Sequence, residues 1–185
     1  LQAADGGFIY DPRAAFQTLA DGTTDTDTFS YTVTDGQAST SAPVTIAVTG
    51  ENDAPDALDD SVATSEDDTL TGDVFTDDGR GADFDIDAGD SFTVTGVDGV
   101  AGGVGSPVTL ESGARVTVNP DGAFIYEPNG AFDGLADGES DTDSFTYTIT
   151  DTNGASDTAT VNVAIDGRAE TTVAVSVAPE TITEE

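Results

Sequence analysis

An internal duplication narrows the possible folds more than any other feature of the chain. The segment Asp5-Gly-Gly-Phe-Ile-Tyr-Asp-Pro12 recurs as Asp121-Gly-Ala-Phe-Ile-Tyr-Glu-Pro128, and Asp25-Thr-Asp-Thr-Phe-Ser-Tyr-Thr-Val-Thr-Asp35 recurs as Asp141-Thr-Asp-Ser-Phe-Thr-Tyr-Thr-Ile-Thr-Asp151. About two-thirds of the ungapped positions are identical at an offset of roughly 116 residues, far beyond chance self-similarity. A pattern written twice builds the same unit twice. Residues 1–50 therefore read as the C-terminal half of one repeat and 56–167 as a complete repeat. The short stretch 51–55 links them, and 168–185 reads as a linker and the start of a next module, as expected for an excerpt of a longer array.

Within a repeat the signal is strand and turn. Phe145–Thr150 and Ala159–Ile165 alternate apolar and polar residues, as do Phe92–Thr95 and Val116–Val118, so each strand buries one face. Asn119-Pro-Asp-Gly122, Asn129-Gly130, Ala136-Asp-Gly138 and Asn153-Gly154 supply turns between them. No useful length shows helical periodicity. The pattern predicts an all-β fold, and roughly seven short strands in about 110 residues point to an immunoglobulin-like β-sandwich. Phe124, Tyr126, Phe145 and Tyr147, with their counterparts Phe8, Tyr10, Phe29 and Tyr31, fall at strand spacing and are expected in the core. The half repeat leaves an apolar face and open edges. The alternating run Thr171–Val177 is either the start of a third module or a strand that completes a neighbouring copy, which would make a homo-oligomer or an extracellular filament.

Charge bounds the partners. Thirty-seven acidic side chains face four basic ones, Arg13, Arg80, Arg115 and Arg168, for a formal charge of −33 with no lysine or histidine. Such a surface repels nucleic acid and anionic membranes, and its self-repulsion calls for bound divalent ions or a salty medium. Nine Phe, four Tyr and the alternating runs argue against disorder. The chain has no cysteine, which excludes disulfides and thiolate metal sites, and without lysine an isopeptide crosslink is excluded as well. No apolar run is long enough to insert directly into a bilayer. Catalysis finds no base or nucleophile among His, Cys and Lys, and paired carboxylates one residue apart do not describe a glycosidase cleft. The chain is not expected to be an enzyme.

The acids are spaced rather than scattered. The complete repeat carries Glu66, then Asp83, Asp85, Asp87 and Asp90, then Asp141 and Asp143, then Asp151; the half repeat carries Asp25, Asp27 and Asp35 before Glu51-Asn52-Asp53-Ala54-Pro55. Hard divalent cations such as calcium take six to eight oxygen ligands and tolerate irregular geometry, so two Asp separated by one residue can converge on one ion. An isolated Asp in a turn more often bonds its own backbone. The run 83–90 approaches an EF-hand loop, but its glycine falls one place late and no bidentate Glu follows.

The order Pro55, Glu66, Asp85-x-Asp87-x-Gly89, Asp141-x-Asp143 before Phe-x-Tyr, Asp151 and a closing strand resembles the cadherin layout. In that layout a strand-A glutamate, a DxD turn, an acidic pair and a DxNDNAP linker bind calcium between successive domains. Asn52-Asp-Ala-Pro55 is similar to the shortened linker of bacterial cadherin-like repeats of the VCBS type, found in long secreted adhesins of the RTX kind. The resemblance covers 51–167 and, in its back half, 1–50. It implies a calcium-stabilised, non-catalytic extender at a bacterial cell surface, whose partners are neighbouring repeats; the alternative reading is a module that binds a glycan, matrix or cell-surface ligand. It implies calcium ligands Asp25 and Asp27 from the first repeat, Glu51, Asn52 and Asp53 from the linker, and Asp85, Asp87, Asp90 and Asp151 from the second. Glu66, Asp141 and Asp143 would serve a junction at the far end, where the chain reads Asp166-Gly-Arg-Ala-Glu170 in place of the linker motif.

Overall fold

The structure, a computed structural model, describes residues 6–169; the alternating run Thr171–Val177 lies outside the described residues. Ten strands follow in order: β1 (Thr24–Thr34), β2 (Ser39–Thr49), β3 (Asp60–Ser65), β4 (Leu70–Asp73), β5 (Phe92–Val97), β6 (Val108–Thr109), β7 (Arg115–Val118), β8 (Ala123–Glu127), β9 (Ser140–Asp151) and β10 (Ser156–Asp166). Two short 3₁₀ turns, Arg13–Phe16 and Ala101–Gly103, complete the described elements.

Strands β3–β10 form two four-stranded sheets, ordered β3-β10-β9-β5 and β4-β8-β7-β6. All pairs are antiparallel except β3–β10, where the first strand of the repeat joins the last in parallel, Asp60 opposite Val161 and Asp166 opposite Ser65. The fold is an all-β, immunoglobulin-like sandwich. Alternation explains the layering: along β9 Phe145, Tyr147, Ile149 and Asp151 are buried, and along β10 Ala159, Val161, Val163 and Ile165 are. These meet Val116, Val118, Phe124 and Tyr126 of the facing sheet, and the Phe124 and Phe145 rings close the gap edge to face at 5.6 Å.

Ahead of this sandwich, residues 6–50 contribute the hairpin β1–β2, paired from Thr24–Thr49 to Thr34–Ser39. Contacts of the complete repeat reappear here. Phe8 and Phe29 meet edge to face at 5.1 Å, as Phe124 and Phe145 do, and the Tyr10 hydroxyl donates to Asp27 Oδ2 at 3.1 Å, as Tyr126 does to Asp143 Oδ2 at 2.7 Å. The face itself is open: Phe8 is 49 % exposed and Val33 52 %. Each copy also ends on a glycine with a packing reason. A Cβ on Gly50 would lie 2.2 Å from the Leu19 carbonyl oxygen, and one on Gly167 2.4 Å from that of Ala136, so the backbone leaving β2 or β10 runs tight against the loop before its own hairpin.

Candidate metal centre

The site forms where the linker 51–55 meets one end of the complete repeat. Asp151 ends β9, and its Oδ1 accepts the amides of Asn153 (2.9 Å), Gly154 (2.5 Å) and Ala155 (2.9 Å), which fixes the β9–β10 turn around one carboxylate oxygen. The other oxygen, Oδ2, accepts the Asn52 side-chain amide at 2.8 Å, and Asn52 Oδ1 in turn accepts from Asn153 Nδ2 at 2.7 Å. Asn52 thus clamps the linker to the turn. Burial pushes the Asp151 carboxyl up, but the Asn52 amide and the three backbone amides more than offset this and hold it below the usual carboxylate range.

The second group comes from the loop before β5. Asp87, 2 % exposed, accepts the Asp53 amide at 2.9 Å through Oδ2 and leaves Oδ1 buried without a hydrogen-bond partner. Asp85 Oδ1 accepts the Asp87 amide at 2.9 Å, and Asp85 Oδ2 is likewise buried and unpartnered. Asp90 Oδ1 accepts from Ser91 N at 2.7 Å and from the Thr152 hydroxyl. One carboxylate oxygen from each of Asp85, Asp90 and Asp151 lies within 4.8 Å of the others. Burial pushes the Asp85 carboxyl up, and the charges of Asp90, Asp87 and Asp151 push it further. Three carboxylates whose oxygens lie within 4.8 Å of one another, with buried unpartnered oxygens on Asp85 and Asp87 of the same loop and oxygen donors only, fit a hard divalent cation.

The remaining expected ligands are placed differently. Glu51 and Asp53 are exposed side chains, Asp53 engaging through its amide. Asp25 and Asp27 lie inside β1 and Asp141 and Asp143 inside β9, not on turns, because the β9–β10 ladder runs on to Ser140–Asp166 and β1–β2 to Thr24–Thr49. Asp25, Asp27, Asp141 and Asp143 each bond the next residue's amide. Asp143 Oδ2 also accepts from Tyr126 and Ser112. Glu66, buried at the opposite pole, accepts the Arg168 amide at 2.7 Å through Oε1 and leaves Oε2 unpartnered, while the Arg168 guanidinium pairs with Asp68 at 3.1 Å. A further link escaped the sequence: the Ala88 amide donates 3.1 Å to the Thr18 carbonyl, ahead of the hairpin β1–β2. Backbone bonds of this kind leave no side-chain signature.

A family model described as bacterial cadherin-like domain matches residues 52–167. The chain belongs to that family. Domains of this family are in general extracellular, non-catalytic and calcium-binding, and contact neighbouring repeats. No helix among the described residues is long and apolar enough to cross a membrane. Among solved structures, the crystal structure of mouse protocadherin-24 EC1-3 matches at 12 % identity and a TM-score of 0.31, covering 82 % of this chain and 46 % of that one. The chain thus spans about half the length of that neighbour. No curated protein matches.

Proposed function

We propose that this bacterial cadherin-like chain is a calcium-stabilised extender repeat of a long surface or secreted adhesin, in which calcium at the 51–55 junction stiffens the link between tandem repeats. The observation that carries the reading is the convergence of Asp85, Asp90 and Asp151 beside unpartnered Asp87 and Asp85 oxygens, with Asn52 and Asp53 of the linker already bonded to Asp151 and Asp87. Asp85, Asp87, Asp90 and Asp151 would hold the ion, with Asn52, Asp53 and Glu51 closing it from the linker and Asp25 and Asp27 reaching it from the first repeat. Glu66, Asp141 and Asp143 would serve a site at the opposite pole. Calcium neutralises the converging carboxylates, so docking energy is present only while the ion is bound. Function is then mechanical: spacing, extension and adhesion through neighbouring repeats.

Thermal unfolding and small-angle scattering in calcium and in chelator test this. Calcium should raise the melting temperature and sharpen the maximum dimension of the chain. Identical curves in both conditions would remove the proposal.

A further inference from the structure

Inside the sandwich, apart from the junction, a second group of oxygens is short of protons. The Tyr147 hydroxyl lies 2.9 Å from Asp83 Oδ2, 3.1 Å from the Leu58 carbonyl oxygen and 3.3 Å from the Val74 carbonyl oxygen. A hydroxyl carries one proton, so it can satisfy one of these three acceptors. Asp60, 4 % exposed at the start of β3, faces the same hydroxyl, and its Oδ2 has no hydrogen-bond partner. The Leu58 amide reaches only the other oxygen of Asp83, at 2.8 Å. Further negative charge surrounds the pocket. Asp78 Oδ2 takes the Ser61 amide and Asp59 Oδ1 the Thr160 amide at 2.8 Å, while the ion pairs among the described residues, Arg13 with Asp11 and Arg168 with Asp68, bring no cation here.

We propose that this pocket is an intradomain site for a calcium-sized divalent cation, held by the carboxylates of Asp60 and Asp83 and the carbonyls of Leu58 and Val74, with the Tyr147 hydroxyl beside it. Two carboxylates match a divalent charge, and neutral carbonyl oxygens complete the donor set that hard cations select. One ion relieves every acceptor in the pocket, where one extra proton relieves one. It also joins four separate pieces of chain: the entry to β3, the exit from β4, the loop before β5, and β9. None of these ligands belongs to the junction, so a change at Asp60 leaves the junction's own ligands in place. A proton is the rival occupant, because burial, with the charges of Asp78, Asp83 and Asp59, pushes the Asp60 carboxyl up to about 7.

The test uses the 185-residue chain and its Asp60→Asn and Asp85→Asn variants, with calcium ions counted by native mass spectrometry at neutral pH and melting followed in calcium and in chelator. Asp60→Asn should hold one calcium fewer than the wild type, while Asp85→Asn retains this ion whatever becomes of the junction. In chelator Asp60→Asn should melt above the wild type, since a repelled charge is gone; in calcium the order should reverse. An unchanged calcium count, with Asp60→Asn melting higher in both media, assigns the pocket to a proton and overturns the proposal. Terbium as probe, excited through tyrosine, gives a reading independent of Asp60. Tyr147→Phe should lose much of the sensitised emission, and undiminished emission also overturns the site.

Discussion

Asp60 shows how one carboxyl shapes the pH response of the whole repeat. Its pKa is raised from the usual 3.8 to about 7, first by burial and then by Asp78, Asp83 and Asp59. The folded state therefore binds a proton that the unfolded chain has already released between these values. Its contribution to stability is fully present below about pH 4 and is lost as pH rises through about 7. Asp151 has the opposite sign: held low by Asn52 and the turn amides, it contributes above the unfolded pKa and loses that contribution as pH falls through the folded one. The difference between wild type and Asp60→Asn isolates the first effect. In chelator the variant's advantage should grow from nothing near pH 4 to on the order of 2 kcal/mol at pH 8, after allowance for solvent screening. Urea unfolding at several pH values measures it, and an advantage that does not change with pH would contradict the assignment.

Strands carry the fold, and most of them are legible as alternation. The strands predicted over 145–150 and 159–165 lie inside β9 and β10 because period-two burial is written into Phe145, Tyr147, Ile149, Val161 and Val163. The two-residue β6 is too short to leave a period, and the parallel β3–β10 pair is a long-range choice that no local pattern encodes. Of the centre, the acidic clusters are visible in the sequence because Asp85, Asp87 and Asp90 are neighbours in the chain. The Asp60–Asp83–Tyr147 pocket is not, since the fold brings Asp83 and Tyr147 together across 64 positions and no spacing rule spans that distance. The duplicated elements also allow a matched comparison. Phe145, fully packed between two sheets, should cost about 3–5 kcal/mol on truncation to Ala. Phe29 occupies the same register on the open hairpin and is only half-buried, so Phe29→Ala should cost about 1 kcal/mol or less, the area of ring it removes from water being smaller. Equal losses in chemical denaturation would show that the hairpin face is covered in solution.

At the scale of the whole molecule, the dominant quantity is a net charge of −33. Two mechanisms relieve it, and they differ in their ion selectivity. Screening acts on all exposed acids and depends on ionic strength alone; the Debye length falls from about 30 Å at 0.01 M to about 10 Å at 0.1 M. Specific coordination, proposed above for the carboxylates that converge at Asp85, Asp90 and Asp151, depends on the ion's size and its tolerance of irregular ligands. In chelator the melting temperature should therefore climb with sodium chloride and level off once exposed charges are screened. At fixed ionic strength, a millimolar amount of calcium should raise it further, and the same concentration of magnesium much less, because magnesium demands near-octahedral geometry and gives up its water reluctantly. Screening alone predicts equal effects for the two divalent ions. Differential scanning calorimetry across sodium, magnesium and calcium separates the cases, and coincident magnesium and calcium curves would reduce the acidic clusters to solvated charge.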